Sequence, residues 1–534
     1  MFRSLGHMAR LIKAGRTLAR HDALFPLELK GELPASLLAL LTLAKISLPW
    51  EKRAETSNPA SPSERLAAAM VDLGPSYIKL GQFLSTRPDI VGAELAQGMT
   101  QLQDRLPPFP TDEARAIIEA ELGRPIAENY SRFDDAVAAA SIAQVHRAQT
   151  VPDETNADGR DVAVKVLRPD VEARFASDLD SFFWVAELVE RYSEKAKRLR
   201  PVEIVQTLAD SVQMEMDFRL EAAAISEMAE NVAQDKGFRV PNVDWERTAR
   251  HVLTLEWIDG IAASDRAALV AAGHDMKALG TRIIQAFLTH ALRDGFFHAD
   301  MHQGNLFVDA DGTLVAVDFG IMGRLDANQR RMMAEILYGF VKRDYRRVAE
   351  MHFLAGYVPP AKSVDAFAQA LRSVGEPIFG RPARDVSMGR LLAQLFQVTE
   401  QFDMKTRPEL ILLQKTMVVI EGVARHFDPD HNIWDSAEPV LKDWMSSQFA
   451  PEARLEEVAE GAVQIGRLAG NLPDFLARAE RTARLLSESV DEQGIKLHPS
   501  SAEKLLPSRR PAYLMPALWA GVGALAVLVA LKLV

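Results

Sequence analysis

The sequence contains no cysteine. That absence excludes disulfides, cysteine-held zinc, iron–sulfur clusters and thiol nucleophiles together. It fits a reducing compartment. Excess positive charge is also lacking: 62 lysines and arginines face 73 aspartates and glutamates, a formal net charge of −11. Bulk electrostatics therefore gives the whole chain no affinity for nucleic acid. No apolar signal-peptide core follows the first basic residues, so secretion is not expected. Internal repeats and long low-complexity tracts are missing. So is any G-x-G-x-x-G or G-x-x-x-x-G-K-[ST] loop where a nucleotide-binding segment belongs.

What remains is a chain of 534 residues, 48% hydrophobic and 25% charged, with the composition of a globular protein of about three domains' length. The first thirty residues carry Arg3, Arg10, Lys13, Arg16, Arg20 and Lys30 against Asp22 and Glu28. Phe2, Leu5, Met8, Leu11 and Ile12 recur among them at helical spacing. The pattern predicts a basic amphipathic helix, lying on an anionic membrane, gripping a partner, or packed on its own protein. Leu33 to Trp50 is a broken apolar stretch, and Glu51 to Glu64 reads as a linker. At the other end, Ala512 to Leu531 holds no charge. As a helix its length matches a bilayer core, with Tyr513 and Trp519 as interfacial anchors. Arg509 and Arg510, just before it, keep the preceding domain cytoplasmic by the positive-inside rule. A buried C-terminal core helix is the alternative. Gly521 and Gly523 permit close packing in a homodimer, although their spacing is not GxxxG.

Between these ends, short strands are expected from about Phe133: two in AVAAASIAQVHRAQT, one at Asp161 to Leu167, one in HVLTLEWIDG. Helices fill Val171 to about Asn231 and Met276 to Asp294. Strands Asn305 to Val308 and Thr313 to Val317 flank an Asp311-Gly312 turn, and helices dominate from Asn328 to about Asp491.

Chemistry concentrates near residue 300. His298, Asp300 and Asn305 have the H-x-D-x-x-x-x-N spacing of a kinase catalytic loop, and Asp318, Phe319 and Gly320 follow as DFG. The intervening hairpin brings the two loops to one cleft. There Asp318 coordinates Mg²⁺ on the phosphates, Asn305 holds metal beside it, and Asp300 orients a nucleophile or takes its proton. Upstream, VAVKVL sets Lys165 on a strand as in the kinase V-A-I-K motif, poised for ATP phosphates and a helix carboxylate. An edge-strand lysine pointing to water is the plain alternative. In place of the glycine-rich loop stand Val137, Ala138, Ala139, Ala140, Ser141, Ile142, Ala143, Gln144 and Val145, a stiffer phosphate-facing turn. Glu256, Trp257 and Ile258 fall where a kinase hinge meets adenine through its backbone, with Glu256 and Ile258 as the contacts. His146 and His302 either touch phosphate or make structural hydrogen bonds.

Taken together, these motifs resemble the UbiB family of protein-kinase-like proteins, the ABC-one/ADCK-type atypical kinases. The resemblance rests on Lys79, Gly81 and Gln82; the alanine-rich loop; Lys165; Glu215 and Asp217 in EMDFRLEAA; Asp300, Asn305 and DFG. It implies an α+β, protein-kinase-like two-lobed fold with an N-terminal helical extension and a C-terminal transmembrane helix. The expected boundaries are 1–60 for N-terminal helices, 61–130 for the extension, 131–262 for the small lobe, 263–500 for the helical large lobe and 511–534 for the anchor. It further implies that Glu221 pairs with Lys165, and that Lys79 and Gln82 lie over the nucleotide. Glu215 and Asp217 tether that extension. Such a roofed cleft favours ATP hydrolysis or a small lipid-like substrate over a peptide.

The implied function is support of aerobic ubiquinone biosynthesis at the bacterial inner membrane, with ATP and Mg²⁺, prenylated quinone precursors, membrane lipids and the biosynthetic enzymes as partners. A serine/threonine protein kinase acting on those enzymes, a non-catalytic nucleotide-binding scaffold and a small-molecule phosphotransferase are the rivals. Met301 and Gln303 replace the prolines that family members often have in HADPHPGN, while the ligating positions are intact.

Overall fold

A computed structural model describes residues 2–21, 23, 61–85, 106–154, 156–192, 200–377, 401–404 and 408–448, with residues 91, 98–99, 394, 397–398, 490–491 and 494–495 besides. Contacts divide the chain into units Met1–Ser446 and Ser447–Val534. In the second unit only the short antiparallel pair Val490–Asp491 and Gly494–Ile495 is described. Among the described residues no helix is long and apolar enough to cross a membrane. The expected span Ala512 to Leu531 lies outside them, as does Leu33 to Trp50.

The first helix, α1 (Phe2–Arg20), takes the expected conformation and packs on its own protein. Ala14 and Thr17 are buried, Arg10 donates to Ser181 Oγ at 3.0 Å, and Lys13, Arg16 and Arg20 are exposed. The expected linker ends sooner than its composition suggests. Ser61 and Glu64 form a reciprocal capping box with Pro62 at the first helical position, and they start α2 (Pro62–Leu73). Gly74 separates it from α3 (Pro75–Ser85), the helix carrying Lys79 and Gln82.

After α4 (Thr111–Leu122) comes a four-stranded antiparallel sheet ordered β1 (Tyr130–Ala139), β2 (Ala143–Thr150), β3 (Asp161–Leu167) and β5 (Val252–Glu256). Alternation explains β3. Val162, Val164 and Val166 are 2%, 0% and 0% exposed, packed with Ala114 and Ile118 of α4. Period two then turns Lys165 to the other face. Helices α5 (Val171–Tyr192), α6 (Pro201–Glu215) and α7 (Phe218–Val232) follow. Phe218, Ala222, Ile225, Met228 and Val232 form one buried stripe of α7, and Glu221 sits within that stripe.

A second sheet uses β4 (Phe238–Arg239) and β6 (Ile261–Ala262). These join β8 (Leu306–Val308) and β9 (Leu314–Ala316) in a sheet ordered β4-β9-β8-β6. Gly312, at φ 83°, makes the turn between β8 and β9. Two strands, β7 (Phe296–His298) and β10 (Met322–Arg324), pair antiparallel, and Gly323 lies so close to the Phe297 ring that a Cβ has no room. Helix α8 (Arg266–Ala271) precedes α9 (Met276–Thr289), the central core helix, which continues through one π turn, His290–Asp294. Then come α10 (Ala327–Val341), α11 (Tyr345–Leu354), α12 (Val364–Gly375), α13 (Pro408–Phe427) and α14 (Ile433–Gln448). Helix α13 packs along α9 at Gly280, where a Cβ would lie 3.1 Å from the Ala424 carbonyl oxygen. The result is a kinase-like fold of mixed helix and sheet.

Arg247 is 4% exposed; it donates to Asp244 Oδ2 and to the Asn129 carbonyl, both at 3.0 Å. Removing one member of a buried ion pair leaves its partner uncompensated. Arg247→Met is therefore expected to cost about 3 kcal/mol in urea unfolding. Arg346→Ala, at an exposed pair with Glu350, should cost about 0.5 kcal/mol or less.

Candidate nucleotide-binding site

Lys165 is the centre of the site. Its ammonium donates to Glu221 Oε1, Glu221 Oε2 and Asp318 Oδ1, each at 3.0 Å. The Phe218 ring lies 5.3 Å from the same nitrogen. Glu221 Oε1 also accepts the Phe319 N–H at 3.2 Å, so one carboxylate joins strand β3, helix α7 and the DFG backbone. Phe319 is 1% exposed and packs on His298 at 4.8 Å. Burial alone lowers the Lys165 pKa, but Asp318 and Glu221 outweigh it and hold the ammonium above the ordinary lysine range. Lys165 in turn keeps Asp318 well below the usual carboxylate range, with a contribution from the Lys79 charge. Burial raises Glu221, and Lys165 opposes it.

Asp318 has φ 63°, a left-handed conformation that aspartate tolerates better than most residues at a cost of about 1 kcal/mol. Hydrogen bonds on both sides fix it: Val317 N–H donates to the Asn305 carbonyl at 2.9 Å, and Phe319 N–H to Glu221. The catalytic loop is set similarly. Asp300 N–H donates to His298 Nδ1 at 3.0 Å, which places the imidazole proton on Nε2, facing the Val317 carbonyl at 3.2 Å. Burial lowers the His298 pKa, consistent with this neutral, structural imidazole. Asn305 Nδ2 donates to the Asp300 carbonyl at 3.1 Å, so the amide oxygen is its remaining donor atom for a metal.

The residues expected at the alanine-rich loop form the β1–β2 turn, with Ala139 paired to Gln144 and Ala138 to Val145. Side chains hold this turn from below. Arg168 donates to the Ala140 carbonyl at 2.9 Å, and its own N–H to the Ile142 carbonyl at 2.8 Å. Ser141, Ile142, Ala143 and Gln144 are buried, whereas Val137 is 55% exposed. Gln144 grips the Phe109 backbone through both amide atoms, at 2.9 and 3.2 Å, and contacts His146 Nε2 at 2.9 Å. Its side chain is thus structural. His146, wholly buried and stacked on Phe133, is structural too.

Other expected residues fall as follows. Lys79 Nζ reaches Glu215 Oε2 at 2.5 Å, tying α3 to the end of α6. Asp217 does not join that tether: it N-caps α7 and pairs with Arg219 at 2.6 Å. The Gln82 carbonyl accepts from Ser85 Oγ at 2.6 Å. Glu256 directs its carboxylate to Arg239 at 2.9 Å and Asn242, and its N–H to the Asn242 carbonyl. Among the described residues Ile258 N–H has no hydrogen-bond partner. Sequence reasoning missed Lys415, whose ammonium lies 3.9 Å from Asp300 Oδ1. Its signal was a lysine inside the apolar run Leu410 to Ile420. His302 Nε2 lies 3.9 Å from Asp300 Oδ2.

In a Lys165→Met variant, Glu221 and Asp318 face each other without the cation, so both carboxyls rise in pKa in the folded state. A folded-state rise makes protonation stabilising, so the variant should recover stability relative to its parent as the pH falls from neutral toward the ordinary carboxylate range. Thermal unfolding across that window checks this; a constant gap between the two Tm values excludes it.

Residues 101–352 match the ABC1 atypical kinase-like domain, and residues 371–432 match the UbiB helical domain. A probable protein kinase UbiB of Marinobacter nauticus is 39% identical over 490 residues, covering 90% of this chain and 85% of that one. One from Pseudomonas putida (strain W619) is 38% identical over 535 residues, covering 95% and 97%. A solved complex of Rv3197 with erythromycin from Mycobacterium tuberculosis aligns over 68% of this chain and 92% of that chain, at 25% identity and a TM-score of 0.45. On identity and coverage alike, the chain belongs to the UbiB family of atypical kinase-like proteins.

Proposed function

We propose that this protein is a membrane-anchored, Mg-ATP-dependent phosphotransferase or ATPase that supports aerobic ubiquinone biosynthesis. It acts on prenylated quinone intermediates or on the enzymes that process them. The observation that carries the nucleotide reading is the three-way contact of Lys165 with Glu221 and Asp318, in the same unit as the Asp300–Asn305 loop. In this reading Lys165 neutralises the inner phosphates, held upright by Glu221. The β1–β2 turn covers them with backbone amides. Ile258 N–H and the Glu256 backbone meet adenine, while the Glu256 side chain, spent on Arg239, fixes the hinge.

The donor set fits Mg²⁺. It offers one ionised carboxylate, Asp318, and the amide oxygen of Asn305; Mg²⁺ is ordinarily held by one or two carboxylates with phosphate and water completing the shell. Among the described residues no cluster of three or more histidines, aspartates or glutamates could hold a metal alone. When bound beside Asp318 and Asn305, the ion would supply positive charge against the phosphates. Asp300 orients the acceptor hydroxyl or water and takes its proton. Helix α3, bound through Lys79 to Glu215, roofs the cleft and disfavours a bulky peptide. The charge-free segment Ala512 to Leu531 supplies the membrane anchor, with the kinase-like part on the cytoplasmic side.

The test combines binding with chemistry. Asp318→Asn should abolish Mg-dependent ATP binding. Asp300→Asn should retain binding while phosphate release falls by about 10²-fold or more. Cells carrying either replacement should accumulate an early prenylated intermediate. Phosphate transfer to a purified pathway enzyme, lost in Asp300→Asn, selects the protein-kinase form. Full quinone production by an Asp318→Asn protein that binds no Mg-ATP overturns the enzymatic reading in favour of a scaffold.

A further inference from the structure

We propose that Lys415 is a catalytic residue of this site, donated by the helical region to the transferred phosphoryl group beside Asp300. The proposal rests on the nucleotide reading above and assigns a group it did not use. Lys415 stands on α13, more than a hundred residues beyond the catalytic loop in sequence. Its neighbour Thr416, fully buried, shares its one hydroxyl proton between the Leu412 carbonyl of its own helix at 2.8 Å and the Ala299 carbonyl at 3.0 Å, and the second contact brings the helix against the residue before Asp300. The Lys415 ammonium comes to lie 3.9 Å from Asp300 Oδ1, with side-chain exposures of 27% and 29%.

That separation is informative. A lysine placed only to fix a carboxylate closes to hydrogen-bond length, about 2.7–2.9 Å. Here both heads are partly exposed, and among the described residues neither makes a hydrogen bond, which leaves their hydrogen-bonding capacity for a third group. The charge pattern points the same way. The loop between Asp300 and Asn305 reads Met301, His302, Gln303, Gly304 and carries no lysine or arginine. His302 Nδ1 accepts the Gly304 N–H at 3.0 Å. Lys165 serves two carboxylates already, and Lys79 is paired with Glu215. Among the described residues, Lys415 is the only lysine or arginine whose charged group lies within 4 Å of Asp300.

Phosphoryl transfer spreads negative charge over the equatorial oxygens of the moving group, and a fixed cation there accelerates the step. In the step inferred, the bond from the γ-phosphorus to the bridging oxygen breaks and its electron pair leaves with ADP. A bond from the acceptor oxygen, of water or an alcohol, forms on phosphorus, and the acceptor proton passes to Asp300. Lys415 keeps its protons and neutralises the equatorial oxygens. It thereby makes the helical region part of the reacting centre.

Because the chain has no cysteine, Lys415→Cys carries a unique thiol. The full-length protein is assayed for ATP hydrolysis, and separately for Mg-ATP and Mg-ADP binding by calorimetry. Lys415→Met and Lys415→Cys should lower kcat by about 10²-fold while both affinities stay within about threefold. Alkylating Lys415→Cys with bromoethylamine rebuilds an ammonium of nearly lysine length and should restore most of kcat. Iodoacetamide, which adds a neutral amide, should not. Wild-type kcat in Lys415→Met, equal loss of kcat and affinity, or rescue by iodoacetamide each overturns the proposal. Failure of the wild-type chain to bind Mg-ATP removes the nucleotide reading itself, a result distinct from these.

Discussion

One ammonium joins strand β3 and helix α7 to the DFG turn. Lys165 has three N–H donors, and all three are used: two by Glu221, one by Asp318. Taking such ions out of water costs several kcal/mol apiece, and their attraction repays this only with good geometry and further hydrogen bonds. Both conditions hold here. Glu221, 6% exposed at its side chain, accepts a backbone N–H from Phe319 as well as the ammonium. Strand β3, helix α7 and the segment after β9 therefore cannot move independently. A shift of α7 away from the sheet would strand a carboxylate and a lysine in a low-dielectric site together.

The three contacts are not equivalent, and their difference determines how the cleft can work. Glu221 is deeply buried, whereas the Asp318 side chain is 50% exposed. A phosphate approaching Lys165 needs one of its donors. Releasing Asp318 to solvent and metal is the cheap exchange, since a half-exposed carboxylate loses little solvation either way. Releasing Glu221 would leave a buried charge unpaired. The site is thus built to keep its structural pair and to trade its outer one, with the strained φ of Asp318 maintained meanwhile by hydrogen bonds at Val317 and Phe319.

What was legible in the sequence followed from distance along the chain. The strand Asp161–Leu167 was readable because alternation of valines with Ala163 and Lys165 is a local pattern. His298, Asp300, Asn305 and Asp318 were readable because one hairpin separates the two loops, so spacing encodes geometry. Glu221 was reached only through resemblance, although a glutamate inside the apolar stripe of α7 marks it physically. Glu215 as a tether of the extension came the same way, without its partner Lys79, and Asp217 was grouped with it, although it caps α7, because a capping aspartate and a tethering one look alike in sequence. The Arg168 and Gln144 supports of the alanine-rich turn, the Arg239–Glu256 pair and the Lys415–Asp300 approach were not legible. Each joins elements whose packing no local period specifies.

The alanine-rich turn shows how such long-range supports alter a familiar device. A glycine-rich loop gains close phosphate approach from backbone freedom, at an entropic cost on ordering. Alanine gives up that freedom, and here the turn is held beneath by Arg168 on the Ala140 carbonyl and by Gln144 clamped to Phe109. Its ordering cost is met during folding rather than on binding. Lys79 on Glu215 and Thr416 on the Ala299 carbonyl are supports of the same long-range kind, each joining segments far apart in the sequence.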